Sequence, residues 1–412
     1  MRIRRWLLPL AVLIYLGLVW HSAYLVVLPV ALLVIFILAS WWQRYSLDGV
    51  IYKRRFLYTR AFPGEIYPLK IEIENRKLLP LSWLRIQDPW PEAVAPEDES
   101  VLAPSHVADQ GVLTHVLSLR WFERSRRSYN LVFRKRGVYK VGPAEISSGD
   151  LFGLFDRSGT IGQPEKLTVF PELLPVGDME LPPEKPFGDQ RSRRRLFEDP
   201  NRPMGVREYH PEDSFRRVHW PATAHTNTLQ VKIFQPTSAQ MMVLCLNVAT
   251  FKRYWEGIYP ALLERLISVA GTLLSRGMDL GYRVGMISNG CLSNSDQPFR
   301  IPPGRSPKQK AHLLEALAGV TPIVVAPFER YLIREIPRVP YGSTLMILTA
   351  ITSPELAETL LKLKRHERQL TLVSLAEDPP PKLFGIRCVH MPVHDKEEFV
   401  RDYYEIYQNP GT

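Results

Sequence analysis

Two apolar runs near the amino terminus, Trp6 to Trp20 and Ala23 to Trp42, constrain this chain most, because only His21 and Ser22 between them are clearly polar. A helix needs roughly 17–25 residues to cross a hydrocarbon core, so the second run is long enough and the first suffices when it borrows the turn. A signal peptide would account for the first run alone, yet no small-residue cleavage site follows and a second apolar run begins at once. The sequence therefore predicts a two-helix transmembrane hairpin over residues 1–45. Arg2, Arg4 and Arg5 precede it and Arg44, Lys53, Arg54 and Arg55 follow, while the tight turn holds no Lys or Arg. By the positive-inside rule both termini and the soluble domains face the cytoplasm from a multi-pass anchor in the cell membrane. Trp41, Trp42 and Tyr45 suit an aromatic belt where the second helix leaves the bilayer.

The chain has 412 residues and is 45% hydrophobic, enough for two or three domains with real cores. Its net charge of +10 fits nucleic acid, anionic lipid or juxtamembrane topology, so the placement of the charge matters more than its size. Cys245, Cys291 and Cys388 are far apart and lie in apolar runs, a spacing that argues against a disulfide framework or a zinc site and fits a reducing compartment.

Residues 46–174 read as strands. Leu69, Ile71 and Ile73 alternate with Lys70, Glu72 and Glu74, and Tyr129, Leu131 and Phe133 repeat the pattern. Pro63-Gly64, Leu79-Pro80, Asp88-Pro89, Arg136-Gly137 and Gly142-Pro143 punctuate the runs as turns. Short strands with one polar face predict an antiparallel β-sandwich of immunoglobulin-like type. Pro91 to Gln110 reads as an exposed loop, and Gly149 to Phe155 as a tight turn that buries two phenylalanines rather than a phosphate cradle, since no helix follows it.

Residues 175–238 form a linker and a charged motif segment. Arg191, Arg193, Arg194 and Arg195 make one basic cluster, without the interleaved aromatics of a nucleic-acid module. The stretch from Arg202 to Phe234 concentrates Arg, Asp, Glu, His and Trp. Asp213 is placed to cap Ser214 to Arg216, and Pro221 is expected to disfavour helix at Trp220. Arg207, Arg216, Arg217, His219 and His225 make a candidate anion or partner site. The alternative is a docking joint in which Glu208, Glu212 and Asp213 pair with those arginines, and the interleaving of acids and bases favours it. His219 and His225 are left without an evident partner.

Residues 239–412 alternate strand and helix. Met241 to Val248 is a continuous apolar run expected of a strand buried on both faces. Leu262, Leu266, Val269 and Leu273 stand at helical spacing, and Arg283 to Ser288, Thr344 to Ile351, Leu370 to Leu375 and Arg387 to Met391 are further strands. Ser306-Pro307-Lys308-Gln309 reads as a capping box and Ser353-Pro354-Glu355 as a second helix start. Lys396 to Tyr407 completes the series as an amphipathic helix. The alternation predicts a mainly parallel sheet covered on both faces, with any site at the carboxyl ends of its strands.

The hydrophobic hairpin, "RKRGVYKVGPAEISSGDLFGLF" and "GVREYHPEDSFRRVHWPATAH" together resemble the DUF58 family of bacterial and archaeal membrane proteins. Arg207, Tyr209, Asp213, Arg216 or Arg217, Trp220 and Ala224 match the family's central motif; Glu212 stands where Gly is usual and His225 where Arg is usual. The resemblance implies a von Willebrand factor A-like carboxyl-terminal domain and a protein partner, a MoxR-type AAA+ ATPase, in complex assembly or cell-envelope functions. Many such domains hold magnesium through D-x-S-x-S and a later Asp. Here those positions read Asn247, Ala249 and Phe251, and Thr349 to Thr352 brings no acid, so neither metal nor cofactor is expected.

The chain contains no GxSxG, no Walker lysine loop and no HExxH. His390, His394 and Asp395 have ligand-like spacing, but Pro392 breaks the helix that would align them. The leading expectation is a membrane-anchored scaffold that binds protein without metal and is not an enzyme. Two alternatives are an enzyme using Asp213 with His219 or His225 as acid and base, and lipid or nucleic-acid binding through Arg191 to Arg195.

Overall fold

The computed structural model describes residues 3–150, 155–175, 198–211, 213, 215, 218–236, 241–253, 257–340, 343–366 and 368–392, which fall into two compact units, Met1–Glu172 and Leu173–Thr412. The expected helix over Lys396 to Tyr407 and the basic cluster Arg191 to Arg195 lie outside the described residues.

The first unit opens with α1 (Ile3–Val19) and α2 (Ala23–Ser46), which follow one another across a short turn and touch. With 17 residues α1 is about 26 Å long; α2, with 24, is about 36 Å and is long and apolar enough to cross a membrane. Much of the apolar surface of α2 has no cover within the unit, Leu28, Ile37 and Leu38 among it.

Twelve strands follow: β1 (Val50–Phe56), β2 (Arg60–Ala61), β3 (Ile66–Asn75), β4 (Leu81–Pro91), β5 (Val94–Pro96), β6 (Leu102–Pro104), β7 (Gln110–Leu119), β8 (Arg124–Phe133), β9 (Gly137–Val141), β10 (Ala144–Gly149), β11 (Asp156–Ile161) and β12 (Glu165–Val169). They form sheets ordered β1-β3-β8-β5, β11-β10-β4-β7-β6 and β2-β12-β9, antiparallel but for β2 with β12. The alternation read in β3 and β8 is the burial pattern: Leu69, Ile71, Ile73, Leu131 and Phe133 enter one core with Leu84, Ile86, Trp90 and Leu113 from the facing sheet. An antiparallel sandwich is thus what the period-two pattern builds. Two expectations are corrected. Asp88-Pro89 is no turn but lies inside β4, and the supposed loop Pro91 to Gln110 contains the edge strands β5 and β6, with Val94 fully buried against β8. Pro96 and Pro104 hid these strands, and edge positions tolerate proline.

Arg54, expected among the charges flanking the membrane, is buried. Its Nε and Nη2 donate to Asp88 Oδ2 and Oδ1 at 2.7 and 2.9 Å, and the Tyr52 hydroxyl donates to the same carboxylate at 2.8 Å. Arg54 Nη1 reaches the Gln163 carbonyl at 3.2 Å, tying the β11–β12 turn to the pair. Gly142, at φ 80°, runs so close that a Cβ there would meet the guanidinium. Removing one partner of such a pair leaves the other charge buried and bare, so Asp88→Ala is expected to destabilise the unit by about 3–5 kcal/mol. Urea unfolding of the full chain in detergent measures it.

His115 on β7 is also fully buried; it takes a hydrogen bond from Arg127 Nη1 at Nδ1, 3.2 Å away, while its Nε2 has no partner. Burial first, and then the Arg127 charge, push its pKa down to about 4. In the unfolded chain a histidine takes its proton near pH 6.5. The unfolded state therefore binds more protons between about 6.5 and about 4, and stability is expected to fall as pH drops through that window and to be flat above it. Midpoints of unfolding against pH check this, with a shallower slope expected for His115→Leu.

The second unit begins with the antiparallel pair β13 (Glu198–Glu208) and β14 (Gln230–Pro236), joined by a segment containing α3 (Trp220–Thr226). Strand β13 was not expected. Pro200 and Pro203 interrupt its pattern, and the register shifts between Glu198 and Gly205. The remainder is β15 (Met241–Leu246), α4 (Pro260–Asp279), β16 (Arg283–Leu292), β17 (Ser295–Gly304), α5 (Pro307–Ala318), β18 (Val320–Val324), α6 (Phe328–Glu335), β19 (Thr344–Thr349), α7 (Pro354–Arg365), β20 (Gln369–Ser374) and β21 (Arg387–His390). The sheet is ordered β17-β16-β15-β19-β20-β21, with β18 also on β16; β16, β15, β19, β20 and β21 are parallel and β17 is antiparallel. Alternate residues of β15 feed two cores: Met242, Leu244 and Leu246 pack with α4 and α5, Val243 and Cys245 with α6 and α7. Both faces are covered, as a continuous apolar strand requires.

Helix starts were legible. Ser306 Oγ accepts from Gln309 N at 3.2 Å and Ser353 Oγ from Leu356 N at 3.1 Å. The capping box is only half formed, because the Gln309 side chain donates instead to the Val284 and Pro302 carbonyls, pinning α5 to β16 and β17.

Candidate functional site

The motif segment is a small module in which one charge pair, Arg207 with Asp213, is described. Arg207, at the end of β13, forms a two-pronged pair with Asp213, Nη1 and Nη2 donating to Oδ2 and Oδ1 at 2.6 Å each. The same carboxylate accepts from His210 N at 3.0 Å. Asp213 thus closes a turn behind itself, where a forward cap was expected; Ser214, Arg216 and Arg217, and with them Glu212, lie outside the described residues. The Arg207 and His210 hydrogen bonds hold the Asp213 carboxyl down at about 2, so at neutral pH it is a poor proton acceptor.

His219 also has a partner, which corrects the sequence reading. Its Nδ1 accepts from Ala222 N at 3.0 Å, capping α3. Pro221 sits in the first turn of this helix, directly after Trp220, instead of barring it, since an N–H in the first turn has no intrahelical partner to lose. Thr223 locks the module: its hydroxyl donates to the His219 carbonyl at 3.1 Å and accepts from Gln230 N at 3.0 Å. His219 N donates to the Gln230 carbonyl at 2.7 Å, and Val218 and Val231 form the buried centre. His225 stands exposed in the last turn of α3, and Asn227, at φ 52°, ends the helix.

Two large aromatic side chains of the module are open, beside the exposed Glu208, His210 and His225. Trp220 is 64% and Phe215 66% exposed, and the Phe215 ring packs 5.3 Å from that of Tyr209. Val206 and Leu229 are exposed beside them in sequence. The sequence reading singled out Tyr209 and Trp220 through the motif and missed Phe215, which carries no charge to draw attention to it.

The carboxyl ends of the parallel strands hold a second polar cluster. Asn247, just beyond β15, donates from Nδ2 to Thr349 Oγ1 of β19 at 3.0 Å, and its Oδ1 accepts from Ala249 N at 3.1 Å and from Asn289 Nδ2 at 3.0 Å. Asn289, on β16, accepts from Val248 N at 3.0 Å. Three strand ends are thereby joined by neutral amides and a hydroxyl, all buried. Thr250 accepts from Tyr259 N at 2.6 Å, Ala249 is buried and Phe251 exposed. Among the described residues no three His, Cys, Asp or Glu side chains converge as a metal site. His390 Nε2 lies 2.8 Å from the Ala376 carbonyl, just beyond the end of β20, while His394 and Asp395 lie outside the described residues.

If His219 acts as a cap, His219→Ala is expected to lower the stability of the module by about 1 kcal/mol and His219→Asn to restore most of it. Limited proteolysis between Glu208 and Gln230 reads the difference. If it acts as a base, both variants lose function alike.

Residues 205–337 match the family described as "Protein of unknown function DUF58". The "Uncharacterized protein YeaD" of Bacillus subtilis (strain 168) is 21% identical over 346 residues, covering 82% of this chain and 79% of that protein. Among solved structures, the CARDB domain of a Pyrococcus furiosus protein matches 29% of this chain and 91% of its own at 7% identity, with a TM-score of 0.20. A cohesin module from Clostridium perfringens matches 29% and 97% at 12% identity, with a TM-score of 0.22. The match to the DUF58 family covers most of the motif module and the first part of the parallel sheet, and the similarity to YeaD extends over most of the chain.

Proposed function

We propose that this protein is a membrane-anchored scaffold whose cytoplasmic second unit binds a protein partner, and that the partner is a MoxR-type AAA+ ATPase, as the resemblance to DUF58 proteins implies. The observation that carries the reading is the exposure of two large aromatic side chains of the motif module: Phe215 and Trp220 stand open while Arg207, Asp213 and His219 are bound to their own neighbours. Exposed aromatic rings such as those of Trp220 and Phe215 are enriched at the cores of protein interfaces, with Trp foremost among hot-spot residues. An acid–base site would keep Asp213 and His219 free to exchange protons.

The sheet order supports a von Willebrand factor A-like reading of the second unit. Numbered in chain order within the sheet, β15, β16, β17, β19, β20 and β21 lie in the order 3-2-1-4-5-6 with the third strand antiparallel, a doubly wound order consistent with the A-like domain that the resemblance implies. Asn247 then stands where those domains place their first aspartate, and amides join the strand ends in place of a cation. The anchor reading is supported by α2, with α1 as its companion in a hairpin and the chain's bulk on the side of Arg2, Arg4, Arg5 and Arg44.

Crosslinking mass spectrometry on native membranes is expected to recover an AAA+ ATPase joined to residues near Trp220. A Phe215→Ser, Trp220→Ser variant is expected to lose those crosslinks at least about tenfold, as loss of an aromatic hot spot worth 2 kcal/mol or more implies, with no change in melting temperature. Unchanged crosslinks would remove the module from the interface.

A further inference from the structure

Three large apolar side chains stand in water at one end of the β-sandwich: Leu78 is 76% exposed, Trp121 63% and Phe122 63%. Single exposed apolar residues are ordinary on protein surfaces. These three are grouped, because the two turns that bear them are bonded together. The buried Asn75 amide donates to the Leu79 carbonyl at 3.0 Å and to the Arg120 carbonyl at 2.9 Å, and Phe122 N donates to the Lys77 carbonyl at 3.3 Å.

The same end of the sandwich holds the carboxyl end of α2. Lys77 Nζ donates to the carbonyls of Tyr45 and Asp48 at 2.7 and 2.6 Å and to that of Ser46. Leu78 is the next residue. Trp41 and Tyr45, both exposed, pack 5.5 Å apart in the last turns of the helix. Phe155, at the β10–β11 connection, packs 6.1 Å from Phe36, ten residues or about 15 Å back along α2 from Ser46. This end of the sandwich therefore reaches alongside the apolar helix and does not stop at its tip.

Phe122 adds an independent sign. It holds φ 53°, a left-handed conformation that glycine or asparagine adopts readily and a bulky residue adopts at a cost. A turn that needed only to turn would not favour phenylalanine there, and a strained exposed residue points to a use for its side chain. Arg76, Lys77, Arg120 and Arg124 outnumber Glu74 and Glu123 on the same turns, and Arg76 and Arg124 share the single Glu74 carboxylate, so the surroundings of the apolar group carry net positive charge. Apolar and aromatic tips beside an excess of basic residues are the composition of a surface that enters lipid headgroups.

We propose that this end of the sandwich is seated in the interfacial layer of the bilayer, with Leu78, Trp121 and Phe122 at the boundary of headgroups and acyl chains and the flanking arginines at lipid phosphates. The proposal rests on the reading of α2 as a membrane-crossing helix. It makes the first unit a platform lying against the membrane, not a body held off it by a flexible stem.

The test uses the full chain carrying Cys388→Ser, since Cys245 and Cys291 are buried, reconstituted into phosphatidylcholine–phosphatidylglycerol vesicles. A nitroxide is placed in turn at Leu78→Cys, Phe122→Cys, Val34→Cys within α2, and Val107→Cys. Val107 is exposed beyond the opposite end of β7, whose ten residues span about 33 Å. Collision rates with oxygen and with a water-soluble nickel chelate are compared at each site. The expected result is an oxygen-to-nickel ratio at 78 and 122 shifted from the value at 107 toward that at 34. Ratios at 78 and 122 equal to that at 107, with 34 reading hydrocarbon, overturn the proposal and leave the crossing helix standing. A water-like ratio at 34 overturns the crossing helix itself and this proposal with it. Phe122→Gly, which relieves the left-handed strain, serves as the folding control: its melting temperature is expected to equal or exceed that of the parent.

Discussion

One ammonium group joins the helical and the sheet parts of the first unit. The last turn of a helix leaves carbonyl groups without intrahelical partners, and they need donors from elsewhere. Lys77 brings its Nζ to three of the carbonyls around the end of α2, and Arg157 reaches the Arg44 carbonyl and the Asp48 carboxylate. Burial pulls the Lys77 pKa down to about 8, which still leaves it charged at neutral pH. Both cations come from the β-sandwich, so the direction in which α2 leaves the sandwich is set by the sheets. Gln43, donating to the Asp156 carbonyl at 2.6 Å, adds a third tie one turn earlier. The helix could not be rotated or tilted against the sheets without stripping its terminal carbonyls of donors.

Inside the sandwich the same logic operates on a charge. Arg54 and Asp88 come from different sheets, and each is acceptable in the core only because the other is there, with the Tyr52 hydroxyl and the Gln163 carbonyl meeting their remaining hydrogen-bonding capacity. The pair therefore specifies which turn faces which, something the apolar residues around it do not encode, since leucine and isoleucine accept many registers of packing.

What could be read from the sequence followed periodicity and local chemistry. The alternation through Leu69, Ile71 and Ile73, the unbroken apolar run of β15, and the serine caps at Ser306 and Ser353 each signal over a few neighbouring residues, and each formed. Readings failed where the deciding partner was distant or the cue was ambiguous. Arg54 looked like a flanking surface charge because Asp88 lies 34 residues away. Pro221 looked like a barrier because proline ends helices more visibly than it begins them, and β13 was masked by Pro200 and Pro203. His219 seemed unpartnered because its acceptor role is met by a backbone amide, which no side-chain pattern reveals. In the motif module the charged residues were visible, but the pairing of Arg207 with Asp213 and the capping role of His219 moved attention to Phe215 and Trp220, which sequence chemistry alone ranks as ordinary.

The bridge of Asn247, Asn289 and Thr349 has a consequence for control. A bridge made by a bound ion comes and goes with the concentration of that ion, and a domain built on it has two states. An amide bridge holds nothing that can leave and carries no charge that pH or salt would alter near neutrality. The hydrogen bonds of Asn247, Asn289 and Thr349 therefore tie these three strand ends without adding a titratable group to them.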